Sequence, residues 1–174
     1  MGYVINTKRL KLREMNFDDF NNLKEILSNA NTMKYYPSPY DDEGVNKWIK
    51  WNLACYEKRG FGLWAVTLND IFIGDCGITL QNIDGNDVFE IGYHFNPSYW
   101  HNGYCIEAAT ACKEWFFKNT KYNEVYSYMN FDNTPSRNVA IRNGMKYIKD
   151  YYDKGEHLAV YRISRDEYQY EGKN

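Results

Sequence analysis

The sequence predicts an α/β fold with a mixed, mostly antiparallel central sheet, and three observations lead to this prediction. Two segments in the first third of the chain repeat apolar residues at the spacing of amphipathic helices. Segments that alternate polar and apolar residues, separated by turn signals, then indicate an antiparallel meander. The second half alternates strand-like and helix-like segments, which is typical of a mixed sheet. We therefore expect about seven strands flanked by about four helices.

The first half of the chain supplies two of these helices. The first is expected over residues 17–27, where apolar residues recur at helical spacing after the capping residue Asn16. The second is expected over residues 43–58 and ends at Gly60. Between them, the two prolines of residues 35–40 exclude a helix and leave an aromatic loop. Strands are expected at residues 9–13, 61–68, 71–81 and 87–95.

The second half begins with a loop at residues 96–103, followed by a helix of about four turns. A short helix over residues 136–143 ends at Gly144. One face of the longer helix is expected to pack on the core, and it carries Cys105, Ala109, Cys112 and Phe116. The remaining strands are expected at residues 124–130, 145–152 and 157–163, the last two as a hairpin.

Length and composition limit the classes of protein that fit. With 174 residues and no linker-like segment, the chain is expected to fold as one domain over residues 1–174. It contains no apolar run that could span a membrane and no signal-peptide core, so we expect a cytoplasmic protein. The net charge of −2 argues against direct binding of nucleic acid. The oligomeric state, monomer or homodimer, stays open.

The spacing of the cysteines and histidines argues against a metal site. Cys55, Cys76, Cys105 and Cys112 include no C-x-x-C pair, and the histidines are scattered along the chain. We therefore expect four free thiols and no bound metal.

The segment from Glu90 to Ala109, a strand, a loop and a helix, is the strongest candidate for chemistry. Gly103 opens the helix, and a helix N-terminus presents free N–H groups and the positive end of a dipole to an anion. The segment has neither the G-K-[ST] of a P-loop nor a G-x-G-x-x-G fingerprint. On the residues alone, a phosphate-binding turn and an ordinary strand-helix connection both fit.

Three ordered segments carry a resemblance to a known family. The first is Thr7-Lys8-Arg9-Leu10-Lys11-Leu12-Arg13, the second is Glu90-Ile91-Gly92-Tyr93 followed by Tyr99-Trp100-His101-Asn102-Gly103-Tyr104-Cys105-Ile106-Glu107-Ala108, and the third is Asn133-Thr134-Pro135-Ser136 followed by Ala140-Ile141-Arg142-Asn143-Gly144-Met145. Over about residues 7–168 the chain resembles the GNAT acetyltransferase superfamily, and more narrowly the RimJ/RimL-like group, whose members acetylate protein N-termini and other amines. Gly103 matches the [QR]-x-x-G-x-[GA] loop of the family, whereas Trp100 and Cys105 depart from it.

The resemblance implies that the fourth predicted strand separates from the fifth and that acetyl-CoA binds in the gap, leaving coenzyme A as product. It implies cofactor contacts from the strand residues Tyr93, His94 and Phe95, from the loop residues Trp100, His101, Asn102, Gly103, Tyr104 and Cys105, and from Asn133, Ser136 and Arg142. Glu107 is interpreted as structural. Direct attack needs no covalent intermediate, so none of the cysteines needs to act.

Acetyl transfer to an amine needs one group that removes a proton and another that supplies one to the leaving thiolate. Glu90 is the candidate base, directly or through water, because a partly apolar cleft raises the pKa of a carboxyl group. The alternative is a strand glutamate that is exposed or only attracts a cationic acceptor. His94 is the rival base, with a surface histidine as its alternative. Ser136, by the resemblance, is the candidate acid; it competes with Tyr161 and with a role as helix N-cap.

The acceptor pocket is expected between the first helices and the last hairpin. Its candidate walls are Tyr35, Tyr36, Tyr40 and Trp51, together with Glu90, because aromatic rings hold cationic amines by cation–π contact. Trp64 fits a wall or, more naturally, the core.

The prediction is therefore an acetyl-CoA-dependent N-acetyltransferase whose acceptor is a peptide N-terminus or a small amine. Two alternatives remain: a non-catalytic module that binds acyl-CoA as a sensor or partner protein, and a partner module without coenzyme A. The presence of both Glu90 and Ser136 favours the enzyme.

Overall fold

The computed structural model of the protein describes residues 2–171, so residues 1 and 172–174 of the expected single domain lie outside it. Within residues 2–171, eight strands form one mixed sheet, accompanied by five α-helices. The strands are β1 Tyr3–Asn6, β2 Leu10–Arg13, β3 Leu63–Leu68, β4 Ile71–Ile83, β5 Asn86–Phe95, β6 Glu124–Asn130, β7 Lys146–Asp153 and β8 Glu156–Ser164. The helices are α1 Phe20–Leu27, α2 Asp42–Arg59, α3 Tyr104–Asn119, α4 Thr134–Arg142 and α5 Arg165–Glu171. The predicted fold class is confirmed.

The strand order is β1-β2-β3-β4-β5-β6-β8-β7, and β5 and β6 form the parallel pair in this otherwise antiparallel sheet. This pair is incomplete. Its ladder has one position, Glu90 opposite Tyr126. At the next step the hydroxyl of Ser127 donates to the carbonyl of Ile91 at 2.8 Å. A side chain thus bridges the strands where a main-chain bond would otherwise lie, and β5 and β6 part, as the resemblance implied.

Two short elements, β1 and α5, were not predicted from the sequence. β1 has four residues, too few for an alternating pattern to stand out. α5 does carry a local signal, the sequence Ser164-Arg165-Asp166-Glu167. The N–H of Ser164 donates to the carboxylate of Glu167 at 2.9 Å, and the N–H of Glu167 donates to the Ser164 hydroxyl at 3.3 Å. This reciprocal arrangement is a capping box, so the start of α5 was readable from the sequence.

The predicted caps lie at or close to their expected positions. Asn16 caps a 3-10 turn at Phe17–Asp19, so that α1 begins three residues later than predicted. Gly60 ends α2 in the left-handed conformation, with φ of +77°.

Strand alternation divides the core into two layers. On one side of the sheet, Trp64 and Cys76 pack against α3, where the rings of Trp64 and Trp115 lie 5.0 Å apart. The sulfur atoms of Cys76 and Cys112 are 3.6 Å apart there, and all four cysteines are free. On the other side α2 covers the sheet, and Asn52 accepts a hydrogen bond from the N–H of Leu63 at 2.8 Å. Trp64 therefore belongs to the core.

Gly77 on β4 lies at a close approach between two chain segments. A Cβ atom at this position would lie 2.0 Å from the carbonyl oxygen of Gly62 and 2.7 Å from the Cα of Leu63. Both are backbone atoms, so the crowding cannot be relieved by turning a side chain.

We expect Gly77→Ala to lower the free energy of unfolding by about 2–3 kcal/mol, because β3 and β4 must move apart. Thermal unfolding would show a fall in Tm of about 5–10 °C. Gly92→Ala is the matched control, since Gly92 lies opposite Gly77 and its added Cβ would be 3.6 Å from a side-chain methyl of Leu63. Equal stability of the two variants would contradict this account.

Candidate active site

A cavity of about 510 Å³ opens where β5 and β6 part. Residues from both sides of the sheet reach it, because Glu90 and His94 point to one side of β5 and Tyr93 points to the other. It brings together eight of the predicted site residues: Tyr35, Tyr36, Trp51, Glu90, Tyr93, His94, Asn133 and Ser136. The predicted catalytic pair, Glu90 and Ser136, therefore lines one space.

Three other predicted residues, Tyr40, Tyr161 and Arg142, do not line this cavity. Tyr40 packs behind the wall: its ring is 5.8 Å from that of Trp48, which does line the cavity. Tyr161 is buried, and its hydroxyl accepts a hydrogen bond from Arg137 at 3.0 Å. Arg142 is exposed at the C-terminal end of α4, about 9 Å along the helix axis from Ser136.

Glu90 is half-buried, and its carboxylate has few partners. It accepts a hydrogen bond from the backbone N–H of Tyr128 and a long one, 3.5 Å, from the Thr79 hydroxyl. Burial in the cavity wall raises the pKa of Glu90 to about 7, although His94 and these two donors act in the opposite direction. A carboxyl group with this pKa exchanges a proton readily near neutral pH.

His94 is buried, with 8% of its surface exposed, so the surface histidine considered as its alternative is ruled out. Its Nδ1 lies 2.9 Å from the carboxylate of Asp75, and its Nε2 lies 2.8 Å from the hydroxyl of Tyr36. Asp75 is fully buried and also accepts from the indole N–H of Trp48 at 2.9 Å. A continuous hydrogen-bonded chain thus runs from the core to the cavity.

Ser136 lies in the first turn of α4 and is not the residue that caps it. Asn133 is the N-cap, and its side-chain oxygen accepts from the N–H of Ser136 at 3.2 Å. The hydroxyl of Tyr93 donates to the carbonyl of Ser136 at 3.1 Å, which fixes the start of α4 against β5. The Ser136 side chain lines the cavity, so its predicted alternative as an N-cap is corrected.

The loop before α3 has the backbone of a tight turn. His101 and Gly103 both have positive φ, of 62° and 77°. The indole of Trp100 donates to the carbonyl of Phe95 at 2.8 Å, and the amide of Asn102 donates to the carbonyl of Trp100 at 2.8 Å. The side chains of the loop therefore hold the loop itself, and its N–H groups lie at the N-terminal end of α3.

A cluster formed by the β1–β2 connection and α3 supports this loop from outside. Arg9 pairs with Glu107, with Nε 2.6 Å from Oε2, and also donates to the carbonyl of Asn102 at 3.0 Å. The hydroxyl of Thr7 donates to Glu107 at 2.6 Å. Burial acts to raise the pKa of Glu107, but the hydrogen bonds from Thr7 and Arg9 outweigh it and lower that pKa. These contacts agree with the structural role predicted for Glu107.

Three residues of the site, Asp75, Trp48 and Tyr128, were not predicted from the sequence. One signal was available, because the predicted turn at Asp84 and Gly85 sets the register of the hairpin. That register places Asp75 opposite His94 and Thr79 opposite Glu90. The positions of Trp48 and Tyr128 depend on packing between elements that are distant in sequence, and no local pattern reveals them.

Two kinds of feature are absent from residues 2–171. No group of three or more His, Cys, Asp or Glu side chains in that part of the chain is placed to hold a metal ion. None of its helices is long and apolar enough to cross a membrane.

Comparisons with known proteins identify the family. Residues 9–146 match the family model described as an acetyltransferase (GNAT) domain. The uncharacterized protein YkkB of Bacillus subtilis (strain 168) is 34% identical over 158 residues, which cover 89% of this chain and 92% of YkkB.

Solved structures agree with this match. An acetyltransferase of the GNAT family from Bacillus anthracis superposes with a TM-score of 0.78 at 26% identity, covering 93% of this chain and 98% of that one. RimL, a ribosomal L7/L12 alpha-N-protein acetyltransferase solved in complex with coenzyme A, shares the fold with a TM-score of 0.76 at 17% identity, covering 95% of this chain and 99% of RimL. The sequence match, the parted strands and the loop at the start of α3 together place this chain in the GNAT acetyltransferase family.

Proposed function

We propose that this protein is an acetyl-CoA-dependent N-acetyltransferase that moves an acetyl group to a primary amine by direct attack in a ternary complex. The observation that carries the proposal is the cavity at the parted strands, which Glu90 lines from one side of the sheet and Ser136 from the other. Donor and acceptor can then meet within the sheet, with a proton acceptor and a proton donor beside them.

The residues present fit acetyl-CoA. The N-terminus of α3, with φ of +77° at Gly103, offers N–H groups and a dipole end to a pyrophosphate. The incomplete β5–β6 ladder leaves an edge of β5 near Tyr93 and Phe95 where an extended pantetheine arm can pair. We assign the contacts to Tyr93, His94, Phe95, residues 100–105, Asn133 and Ser136. Bound there, acetyl-CoA supplies an activated acyl group; RimL, with the same fold, binds coenzyme A.

Glu90 and Ser136 carry out the two proton transfers of the reaction, Glu90 as the base and Ser136 as the acid. Glu90, with a pKa of about 7, accepts a proton from the neutral amine as its nitrogen attacks the thioester carbonyl, and then releases that proton to water. As the N–C bond forms and the C–S bond breaks, Ser136 donates a proton to the sulfur and is reprotonated by water. Cys105 takes no part, because burial raises the pKa of its thiol and keeps it protonated.

The acceptor side of the cavity suits a cationic amine. Tyr35, Tyr36, Trp48 and Trp51 line it, and the rings of the two tryptophans lie 5.3 Å apart. Aromatic faces attract an ammonium group, and the carboxylate of Glu90 adds a negative charge in their midst. Both a peptide N-terminus and a small amine meet these requirements.

Mass spectrometry of an acceptor panel tests the proposal. Peptides beginning with Ser or Ala, polyamines, amino acids and aminoglycosides are incubated with protein and acetyl-CoA. A gain of about 42 Da on one class, with many turnovers, is expected for transfer of an acetyl group. Mass detection avoids the interference of the protein's own free thiols with thiol dyes. Intact acetyl-CoA across the panel, with tight acyl-CoA binding, would instead identify a non-catalytic module.

We expect Glu90→Gln to lower kcat/KM at pH 8 by about 100-fold or more while leaving the Kd of acetyl-CoA unchanged. In the wild type, activity rises as pH increases through about 7, because only the deprotonated carboxyl group accepts a proton. The variant loses that limb of the pH–rate profile. Asp87→Asn is the control, an exposed carboxylate on the same strand. Wild-type rates in Glu90→Gln would remove Glu90 from the mechanism.

The same variant has a readout that does not depend on turnover. The folded pKa of Glu90 lies above its ordinary value, so the wild type loses stability as pH rises from about 4.5 through about 7. Relative to the wild type, Glu90→Gln therefore gains about 2 kcal/mol between pH 5 and pH 8. Thermal melts at the two pH values measure the difference.

We expect Gly103→Glu to weaken acetyl-CoA binding by at least about 100-fold, because its side chain, whose Cβ would lie 3.5 Å from Nη2 of Arg9, adds a negative charge to the turn to which we assign the phosphates. Calorimetry measures the affinity. Gly85→Glu controls for backbone strain, since Gly85 has φ of +78° and lies in the exposed β4–β5 turn. Unchanged affinity in Gly103→Glu, or equal loss in both variants, would contradict the assignment of this loop.

A further inference from the structure

We propose that the hydroxyl oxygen of Tyr36 binds the acceptor nitrogen, and that Asp75 and His94 are positioning residues that fix this oxygen as a hydrogen-bond acceptor. Together with Glu90, Tyr36 then makes the site selective for primary over secondary amines. This inference rests on the proposed function and specifies how the same cavity selects its substrate.

The hydrogen-bonded series that links Asp75, His94 and Tyr36 begins in the core at Asp75, which lies fully buried on β4. Its Oδ1 lies 3.0 Å from the backbone nitrogen of His94 and 2.9 Å from His94 Nδ1, and its Oδ2 lies 2.9 Å from the indole nitrogen of Trp48. An ionised carboxylate accepts hydrogen bonds and has no hydrogen to donate. The hydrogen between Asp75 and the imidazole therefore belongs to Nδ1.

The tautomer of His94 then determines the direction of the outer bond. When Nδ1 of a neutral imidazole carries the hydrogen, Nε2 is an acceptor. Nε2 lies 2.8 Å from the Tyr36 oxygen, so Tyr36 uses its single O–H to donate to Nε2. The oxygen keeps its lone pairs, and Tyr36 lines the cavity, as Glu90 does. The substrate amine therefore meets two oxygens, those of Tyr36 and Glu90, that can accept hydrogen bonds from its N–H groups.

Two hydrogen-bond-accepting oxygens distinguish substrates by the number of N–H groups on the nitrogen. A neutral primary amine has two hydrogens, one for Tyr36 and one for Glu90, and keeps its lone pair for attack on the thioester. A secondary amine has one hydrogen and leaves one of the two oxygens without a partner. A site built to bind two N–H groups favours the primary amine, because an analogue with one N–H loses one of the two hydrogen bonds.

Tyr36→Phe tests the role of the oxygen. The probes are a serine-initiated peptide against its N-methylserine counterpart and putrescine against N-methylputrescine acetylated at its secondary nitrogen. For the pair that turns over, we expect kcat/KM of the primary amine to fall about 10- to 100-fold and its advantage over the secondary amine to shrink, with an unchanged Kd for acetyl-CoA. Tyr122→Phe, an exposed tyrosine outside the cavity, is the control. An unchanged selectivity ratio in Tyr36→Phe would overturn the proposal.

Asp75→Asn tests the positioning role. Its amide nitrogen can donate to Nδ1, which favours the other tautomer of His94, so that Nε2–H occupies the Tyr36 oxygen. We expect a loss of primary-amine activity similar to that of Tyr36→Phe, and little further loss when both changes are combined. Fully additive losses would show that Asp75 acts independently of Tyr36. Asp75→Asn also leaves donors facing each other in the core, so circular dichroism must first establish that the variant folds.

Nitrogen-15 NMR of histidine-labelled protein decides the tautomer without any turnover. Signals of His94, assigned by comparison with His94→Gln, are expected to show a protonated Nδ1 and an unprotonated Nε2 in the neutral ring. A protonated Nε2 would overturn the proposal even if Asp75→Asn fails to fold. If the wild type acetylates no primary amine, the proposed function fails. The NMR measurement still decides which atoms donate in the hydrogen bonds between Asp75, His94 and Tyr36.

Discussion

The parting of β5 from β6 is the constraint on which the rest of the structure depends. The main-chain ladder stops at Glu90 opposite Tyr126, and beyond it the Ser127 hydroxyl reaches the Ile91 carbonyl. Backbone groups inside a sheet need partners, since a buried polar group without one costs free energy. Side chains supply some of them: the carboxylate of Glu90 accepts from the N–H of Tyr128. Because of the gap between β5 and β6, residues from both faces of the sheet line the cavity.

Asp75 and Glu90, two carboxylates on the same face of the sheet, differ in role because their surroundings differ. Asp75 receives three hydrogen bonds of about ordinary length and has no exposed surface. Glu90 receives one from a backbone N–H and a long one from Thr79, so burial dominates and its pKa rises to about 7. A carboxylate that is fully paired orients its neighbours, whereas one that is poorly paired is suited to exchange protons. The cavity combines one of each.

The loop at the start of α3 shows a similar division between support and binding. Arg9 donates to the carbonyl of Asn102 from outside the loop. In a trans peptide unit the C=O and the N–H point in opposite directions, so this contact turns the N–H of Gly103 away from the arginine. The ion pair of Arg9 with Glu107 fixes the guanidinium in place. A cluster remote from the acceptor pocket thus orients the N–H groups to which we assign the phosphates.

The sequence by itself determined most of the fold. Periodicity, capping residues and turn signals located seven of the eight strands and four of the five helices of the described chain, because these depend on neighbours within a few residues. β1 is too short for such a pattern, and the capping box of α5 was overlooked. The ordered motifs also predicted that Glu90, Asn133 and Ser136 belong to one site, and the structure places all three on the same cavity.

Only the tertiary structure decided how the site is built. Tyr36, His94, Asp75 and Trp48 come from four separate elements, and no local spacing links the loop residue Tyr36 to a histidine on β5. The same holds for Tyr40 and Tyr161, which look like site residues in the sequence but lie behind the wall and beside Arg137. Local sequence sets local geometry, whereas burial, pKa and hydrogen-bond direction depend on what other segments bring to the same point in space.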